Sequence, residues 1–432
     1  MMMIFTSIYS MVDGLFVSNV VGKDEFAALN LIYPVIMVLG SVGFMFGAGG
    51  TAIVSKTLGE GDKEKACKYF TLIVIVTAVS GILLGILGIV FIRPVAVLLG
   101  ADDSMLPNCV LYATIILSAL PFFMVQNLFQ SFFIAAEKPK LGFLFTVASG
   151  VCNIILDALF VAVFRWGLAG AAIATAISQI VGGVAPLVYF IRPNTSLLRF
   201  CKTRWYGSVI GKSITNGSSE LLSNIAMSLV SMVYNKRLMA INGADGVSAY
   251  GVIAYVSFVF VAIFLGYAIG TAPIVGFNYG AQNKSELQSL YGKSLKLIGI
   301  AGVAMFGLSL ALATPLGYVF FSNEESLRLM TADAMRIYSL CFLFCGFNIF
   351  ASSFFTALNN GLISAVLSFS RTLVFQLLSV ELMSRWLGLE GIWLSCCVAE
   401  VLSMIVSVVM LITQGKRYGY IVPKRQQVVE TK

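Results

Sequence analysis

Long apolar runs separated by short polar segments make up almost the whole chain. A membrane with a hydrocarbon core about 30 Å thick is crossed by about 20 residues of helix, and each run is long enough to do so. The pattern therefore predicts an all-α integral membrane protein. Its twelve spanning helices are expected near residues 1–21, 26–54, 69–92, 106–134, 142–164, 168–192, 213–238, 246–276, 289–315, 329–356, 363–385 and 390–414.

The composition agrees with this pattern. Of the 432 residues, 59% are hydrophobic and only 11% are charged, whereas a soluble domain is usually about a quarter charged. The sequence contains no histidine, which excludes catalysis, metal binding and proton relay by imidazole. The eight cysteines do not follow the spacing of zinc sites, so we predict no structural metal.

Basic residues indicate the orientation of the chain. Of the 28 Lys and Arg residues, 20, including Arg371, fall on the side of the predicted spans that carries both termini, and eight fall on the other side. Because basic loops are retained inside the cell, both termini are expected to be cytoplasmic. The net charge of +8 then reflects topology and not nucleic-acid binding. The expected location is the plasma membrane of a bacterial-type cell.

The chain contains an internal repeat. The segment that begins at Gly22 aligns without gaps with the one that begins at Gly243, an offset of 221 residues. The same offset pairs Gly49 with Gly270, Gly59 with Gly280, Pro94 with Pro315, Asn127 with Asn348 and Gly167 with Gly388. Each repeat holds six predicted spans, so the halves should insert the same way up and form two pseudo-symmetric lobes around a central cavity.

This repeat predicts the domain organisation. We expect an N-terminal lobe at 1–192, a cytoplasmic connection at 193–212, a C-terminal lobe at 213–414 and a cytoplasmic tail at 415–432. Proline disturbs helical hydrogen bonding, so kinks are expected at the prolines within spans, which are Pro34, Pro121, Pro186 and Pro273. Close helix approach is expected at two glycine pairs, Gly43 with Gly47 and Gly266 with Gly270.

Acidic residues inside predicted spans are the strongest functional signal. An ionised carboxylate at the bilayer centre costs at least about 2.5 kcal/mol, so each needs a cationic partner, a water-filled cavity or a proton. The five acids in question are Asp13, Asp157, Glu220, Glu381 and Glu400. They are the starting point for a coupling site.

Asp157 belongs to the most polar stripe. Asn153 precedes it by four residues, which stacks the amide and the carboxylate on one helix face. Thr175 adds a hydroxyl group among alanines on the next span. Two alternatives remain open: Asp157 exchanges a proton, or Asp13, Asn153, Asp157 and Thr175 bind Na⁺ through their oxygen atoms. A hydrogen bond between helices explains an isolated Asn or Thr equally well.

The remaining acids are expected to differ in role. Glu220 has no cationic neighbour within a helical turn and is a second candidate cation-facing acid, in the C-terminal lobe. Glu381 precedes Arg385 by four residues, which is typical of a surface ion pair. Glu400 occupies the repeat position of Gln179 and either lines the cavity or belongs to a polar seam. The candidate cavity-lining residues are Gln179, Asn348 and Glu400.

Four motifs in this order resemble the multidrug and toxic compound extrusion (MATE) family, in particular its MepA-like branch. They are Val12-Asp-Gly-Leu-Phe-Val-Ser-Asn, Gly59-Glu-Gly-Asp, Asn153-Ile-Ile-Leu-Asp-Ala-Leu-Phe and Gly167-Leu-Ala-Gly-Ala-Ala-Ile-Ala-Thr-Ala-Ile-Ser-Gln. The resemblance implies twelve helices in two bundles around a cavity. It also implies export of lipophilic, often cationic, drugs by proton or sodium antiport, with no cofactor beyond the coupling ion.

The resemblance extends to individual residues. Asp13, Asn153, Asp157 and Thr175 match the polar cluster that the family uses for cation coupling in its N-terminal lobe. Glu220 matches an acid that some members use in the C-terminal lobe. Asn348 stands where those members carry aspartate, which favours the N-terminal cluster as the coupling site. The lead before Asp13 is shorter than in the family, as in a truncated first helix.

Three other functions are less compatible with the sequence. A flippase for a lipid-linked precursor, the main alternative, would need cationic side chains in its cavity, whereas the excess inside the predicted spans is acidic. An intramembrane enzyme would need Asp-rich motifs or a nucleophile with a base, which we do not find. A channel fits the repeat less well than a carrier. The expected partners are small-molecule drugs and membrane lipids, and we expect a monomer.

Overall fold

The computed structural model is helical throughout the part of the chain that it describes. That part comprises residues 5–6, 23–101, 103, 105–321 and 324–421, without the side-chain surroundings of residues 23, 24, 26, 27, 30 and 244. No strand occurs in these ranges. Asp13 lies outside them.

Six helices build the first part of the fold, and their boundaries follow the polar interruptions of the sequence. They are α1 (Lys23–Gly59), α2 (Lys63–Leu98), α3 (Leu106–Ser118), α4 (Leu120–Ala135), α5 (Pro139–Asp157) and α6 (Gly167–Ile191). After Asp157, helix α5 continues as a π-helix over Ala158–Val163.

Six further helices follow in the second part. They are α7 (Gly207–Gly280), α8 (Lys284–Phe320), α9 (Glu325–Tyr338), α10 (Phe342–Ala357), α11 (Gly361–Phe369) and α12 (Gln376–Tyr418). A 3₁₀ turn at Ser339–Cys341 joins α9 to α10, and a π-helix at Ser370–Phe375 joins α11 to α12. Helices α7 and α12 are each two helical segments, because the backbone leaves the helical region at Gly243 and at Gly388.

The helices have the length and the apolar character of membrane spans. Among the described residues, eight helical stretches qualify, or nine if α3 and α4 form one bent span. One stretch, Gly361–Tyr418, has 58 residues, which would extend to about 87 Å as a straight helix, so its break at Gly388 divides it into two. The predicted total of twelve spans remains a prediction, since the first predicted span lies almost entirely outside the described residues.

Pro121 accounts for the bend between α3 and α4. The two helices meet at an angle of 53°, and Pro121 lies in the first turn of α4, where its missing N–H is tolerated. The expected kink at Pro121 is confirmed. Pro34, Pro186 and Pro273 lie inside helices that continue through them.

The repeat is visible in the backbone. Asp62 caps α2 by accepting a hydrogen bond from Lys65 N at 3.0 Å, and Asn283, 221 residues later, caps α8 by accepting one from Glu286 N at 3.1 Å. Gly167 and Gly388 adopt left-handed φ angles of 58° and 59°, a conformation that glycine adopts without a Cβ penalty. The same sequence offset therefore reproduces the same helix ends.

The fold divides into two compact units, Met1–Asn224 and Ile225–Lys432. Within the first unit, the beginning of α7 packs directly on α1: a Cβ added at Gly49 would overlap the Ser213 carbonyl oxygen, and one added at Gly217 would overlap that of Met45. The unit boundary therefore lies farther along α7 than the predicted lobe boundary at residue 213.

The two glycine pairs behave differently. A Cβ at Gly43 would lie 2.6 Å from the Met124 Cα atom, so α1 and α4 approach as closely as the small residues allow. A Cβ at Gly270 would meet no atom within 4 Å in the described structure. Close approach at Gly43 is confirmed, whereas the expectation for Gly270 is wrong, because no described neighbour approaches that face of α7.

The segment between α6 and α7 is held against the first unit. Cys201 N donates a hydrogen bond to Thr71 Oγ1 at 3.2 Å, and Thr203 Oγ1 donates one to the Lys68 carbonyl oxygen at 2.9 Å. The Phe200 ring stacks on Phe70 with centroids 5.2 Å apart. These contacts tie the basic connection to the start of α2.

The repeat offers a matched test of the α1–α7 packing. We expect Gly49→Ala to lower the free energy of unfolding by about 1–3 kcal/mol, because the added methyl group overlaps the backbone of α7. Gly270→Ala, the change at the equivalent repeat position, should be neutral or stabilising, since alanine favours helix and the added methyl group meets no atom of the described residues within 4 Å. Thermal unfolding of the purified protein in detergent measures both, and equal effects would contradict this packing.

Candidate functional site

Asp157 lies at the junction where α5 changes from an α-helix to a π-helix. Its side chain is fully buried, with 0% exposure, and the π-helix that begins at Ala158 ends with Phe164 N donating to the Leu159 carbonyl oxygen at 2.8 Å. Single π-helical turns inside α-helices are frequent at functional sites, since they change the direction in which side chains point. The winding change therefore singles out this carboxylate.

Asn153 links this helix to α6. It lies one turn before Asp157, is 1% exposed, and donates a hydrogen bond from Nδ2 to Thr175 Oγ1 at 3.4 Å. Its amide oxygen is buried and accepts no hydrogen bond from the described residues. The structure thus brings together Asn153 and Thr175 as predicted, with Asp157 on the same face of α5, and provides buried oxygen atoms at this place.

A second polar chain continues from Thr175 and was missed in the sequence. Ser178 Oγ donates to the Thr175 carbonyl oxygen at 2.8 Å, and Ser149 Oγ donates to the Ser178 carbonyl oxygen at 2.7 Å. Gln126 Nε2 then donates to Ser149 Oγ at 3.3 Å. The signal was available, because Gln126, Asn127 and Gln130 are clustered within an otherwise apolar helix.

This chain reaches a narrow crevice between α4, α5 and α6. Its lining combines amides, aromatic rings and small residues, namely Gln126, Phe129, Gln130, Phe133, Gly142, Phe145, Thr146, Gly182 and Pro186. The small side chains leave space, and the amides and hydroxyl group provide polar contacts within it. Polar groups therefore extend along the interior of the first unit from this crevice to Asp157.

The second unit contains a different polar cluster, built around an ion pair. Arg371 Nη2 lies 2.8 Å from Glu400 Oε1, and its Nε donates to both carboxylate oxygens at 2.9 and 3.0 Å. Asn348 Nδ2 donates to Glu400 Oε2 at 2.7 Å, and Ser407 Oγ donates to Asn348 Oδ1 at 3.0 Å. The Glu400 side chain is 3% exposed and the Arg371 side chain 18% exposed.

This cluster bears on two of the sequence interpretations. Glu400 and Asn348 belong to a polar seam between α10 and α12, which is one of the two alternatives for Glu400, and their role in lining a cavity stays a prediction. The charge count had assigned Arg371 to a cytoplasmic loop end, and this is wrong: the residue lies in the π-helix Ser370–Phe375, held there by Glu400. An acid that needs a partner and an arginine inside a predicted span were the signals that could have revealed the pair.

The other predicted residues remain separate from this cluster. Gln179 lies on α6 with a buried Oε1 atom that has no hydrogen-bond partner among the described residues. Glu220 is half-buried, lies in the part of α7 that belongs to the first unit, and forms no ion pair within the described ranges. Glu381 pairs with Arg385 at 3.3 Å, as predicted, and also with Arg237.

Comparison with models of known protein families shows which family this chain belongs to. The model of the MatE family matches residues 1–159 and 221–380. The chain belongs to the MatE family. The two matched ranges begin 220 residues apart and end 221 residues apart, so the MatE match also confirms the internal repeat at the predicted offset.

Relatives and solved structures support the same assignment over nearly the full length. The chain is 22% identical to the "Multidrug export protein MepA" of Staphylococcus saprophyticus over 94% of its length and 89% of that protein. It is 23% identical to the protein of the same name from Staphylococcus haemolyticus, over 91% and 86%. These relatives confirm the MepA-like branch.

The fold is that of solved MATE transporters. The structure superposes with a TM-score of 0.91 on a multidrug resistance MATE family transporter in its outward-facing conformation, at 22% identity, covering 97% of this chain and 95% of the other. A MATE structure in complex with MaL6 gives a TM-score of 0.89 at 22% identity, covering 96% and 94%. The MatE-family chain is therefore an all-α membrane protein.

Thr175→Val tests the contact between α5 and α6. We expect a loss of about 1 kcal/mol in the free energy of unfolding, because the buried Asn153 Nδ2 group loses its acceptor. Thr413→Val removes an exposed hydroxyl group that donates to its own helix and serves as the control. Thermal unfolding in detergent compares the two variants, and equal stabilities would contradict the Asn153–Thr175 bond.

Glu400→Gln and Glu381→Gln compare a buried with an exposed ion pair. The first change leaves the Arg371 charge without its counter-ion, so we expect a loss of about 3 kcal/mol. The second removes a carboxylate that is 37% exposed, so the loss should stay below about 1 kcal/mol. Urea or thermal unfolding of both variants measures the difference, and the reverse order would contradict the described burial.

Proposed function

We propose that this MatE-family chain exports lipophilic, often cationic, drugs in exchange for a cation. The support for drug export is the similarity to proteins named multidrug export protein along nearly the whole chain. The support for a coupling site is the fully buried Asp157 at the α-to-π junction of α5, with Asn153 and Thr175 on the same side. Asp157 is the single observation on which the coupling proposal depends.

The chemistry of this site suits a small cation. Asp157 is 0% exposed, and its ionised form is costly in an apolar interior, so we expect its carboxyl group to bind a proton or a metal ion during the transport cycle. The Asn153 Oδ1 atom, which accepts no hydrogen bond from the described residues, and the Thr175 hydroxyl group provide neutral oxygen ligands of the kind that Na⁺ prefers. We assign the coupling role to Asp157, Asn153 and Thr175 together with Asp13, and the coupling ion is H⁺ or Na⁺.

The proposed cycle is alternating access. Binding of the cation at Asp157 rearranges the first lobe and releases the drug to the outside, and loss of the cation resets the cavity for a new drug molecule. Coupling requires that the cation and the drug favour different conformations, because a ligand shifts an equilibrium only by its differential affinity. We place the chain in the plasma membrane as a monomer with both termini in the cytoplasm.

The flippase alternative receives less support from the charges. A cavity that holds a lipid-linked pyrophosphate needs a free cationic side chain, since phosphate groups are recognised mainly by Arg and Lys. Arg371, which the structure largely buries in the second unit, already donates to both oxygens of Glu400. Its guanidinium is therefore committed to an internal partner.

Transport by Asp157→Asn in proteoliposomes tests the proposal. We expect ethidium efflux to be abolished while the protein stays folded, because an amide cannot carry the charge that the cation neutralises. Efflux is driven separately by a pH gradient and by a sodium gradient, which identifies the ion. Asp333→Asn, which alters an exposed acid paired with Arg336, is the control and should transport like the wild type.

Two results would overturn the assignment. Full transport by a folded Asp157→Asn variant would remove this residue from the mechanism. Drug movement by the wild type with neither gradient imposed would exclude antiport.

A further inference from the structure

The ion pair between Arg371 and Glu400 is arranged like an occupied cation site. The guanidinium contacts both carboxylate oxygens of Glu400, with Nη2 at 2.8 Å and Nε at 2.9 and 3.0 Å. An amide and a hydroxyl group lie beside the same carboxylate: Asn348 Nδ2 donates to Glu400, and Asn348 Oδ1 accepts from Ser407 Oγ. A rotation of this amide would turn its oxygen toward the carboxylate. Carboxylate, amide and hydroxyl oxygens are the ligands that hard cations prefer.

A π-helix carries the arginine that contacts Glu400. Arg371 is the second residue of the π-helix Ser370–Phe375, which interrupts the regular i to i+4 bonding between α11 and α12. Thr372 keeps the segment attached to α11 by donating to the Ser368 carbonyl oxygen at 2.7 Å. From this π-helix the Arg371 side chain reaches Glu400 on α12.

The two halves of the repeat differ here by a complete charge pair. At the offset of 221 residues, Arg371 corresponds to Gly150 and Glu400 to Gln179. The first half thus has neither the cation nor the acid at these positions, whereas the second half has both. Each half remains neutral at this place, which is expected if the arginine is there to neutralise the acid.

We propose that Arg371 is a built-in cation, whose guanidinium occupies the position that a free sodium ion would take beside Glu400 and Asn348. As a consequence, the second half needs no external ion at this cluster. The cluster is a cation site that the chain fills with its own side chain. Removal of Arg371 should convert it into a site that binds Na⁺. This inference does not depend on the proposed transport function.

Thermal unfolding of the purified full-length chain tests this inference. The wild type, Arg371→Ala and Arg371→Ala/Glu400→Gln are unfolded at one pH in equal concentrations of sodium chloride or choline chloride. The difference between the unfolding temperatures of the wild type in the two salts is the baseline, because any Na⁺ bound at Asp157 also stabilises the folded chain. Arg371→Ala should be less stable than the wild type in choline and gain about 3–5 °C more in sodium than this baseline, because a ligand that binds only the folded state stabilises it.

Two controls separate the sodium site from general effects. The double variant lacks both charges and should show the same difference between the salts as the wild type. Arg385→Ala removes an arginine from the exposed pair with Glu381 and should respond like the wild type.

The inference is overturned if Arg371→Ala gains no more in sodium than the wild type does, or if the double variant keeps the additional sodium effect. If Arg371→Ala yields no folded protein in either salt, the double variant Arg371→Ala/Glu400→Gln is the test. A folded double variant supports the inference that Arg371 neutralises Glu400, and a double variant that also fails to fold overturns the inference. Because no drug is transported in this experiment, its result is independent of the Asp157 experiment.

Discussion

The cost of burying charge among apolar helices is the constraint on which the rest of the structure depends. Water is not available in a hydrocarbon core, so every buried carboxylate requires a cation, a proton or a set of hydrogen bonds. The second unit meets this requirement internally through Arg371 and Glu400. The first unit buries Asp157 on the same face of α5 as Asn153, which donates a hydrogen bond to Thr175 on α6. The internal ion pair of the second unit needs no external ion.

The repeat explains how one chain can hold both solutions. Equivalent helix ends at Asp62 and Asn283, and at Gly167 and Gly388, give the two halves the same framework. Each half also contains a π-helix after its fifth helix, but at a different repeat position: it begins at Ala158 in the first and at Ser370 in the second. A shift of the π-helix changes which side chains point inward. The two halves therefore share the same helix ends but bury different polar side chains.

Much of the fold could be predicted because membrane helices have a strong apolar signal and because the offset of 221 is constant. Helical spacing predicted that Asn153 and Asp157 share a face of one span, and the structure adds the hydrogen bond from Asn153 to Thr175 on the next helix. The Arg371–Glu400 pair was missed, because its partners are 29 residues apart and lie on different helical segments. The hydrogen bonds of Ser149 and Ser178 depend on backbone carbonyl oxygens, which no residue pattern identifies.

The most direct test of the central claim is the affinity of ethidium for the purified protein, measured by fluorescence at different pH values and sodium concentrations. If a cation at Asp157 competes with the drug through conformation, one of the two ions must weaken ethidium binding, and the effect must be reciprocal. We predict this dependence for the wild type and its loss in Asp157→Asn. A wild type that responds to neither ion, or an Asp157→Asn variant that responds like the wild type, would contradict the account.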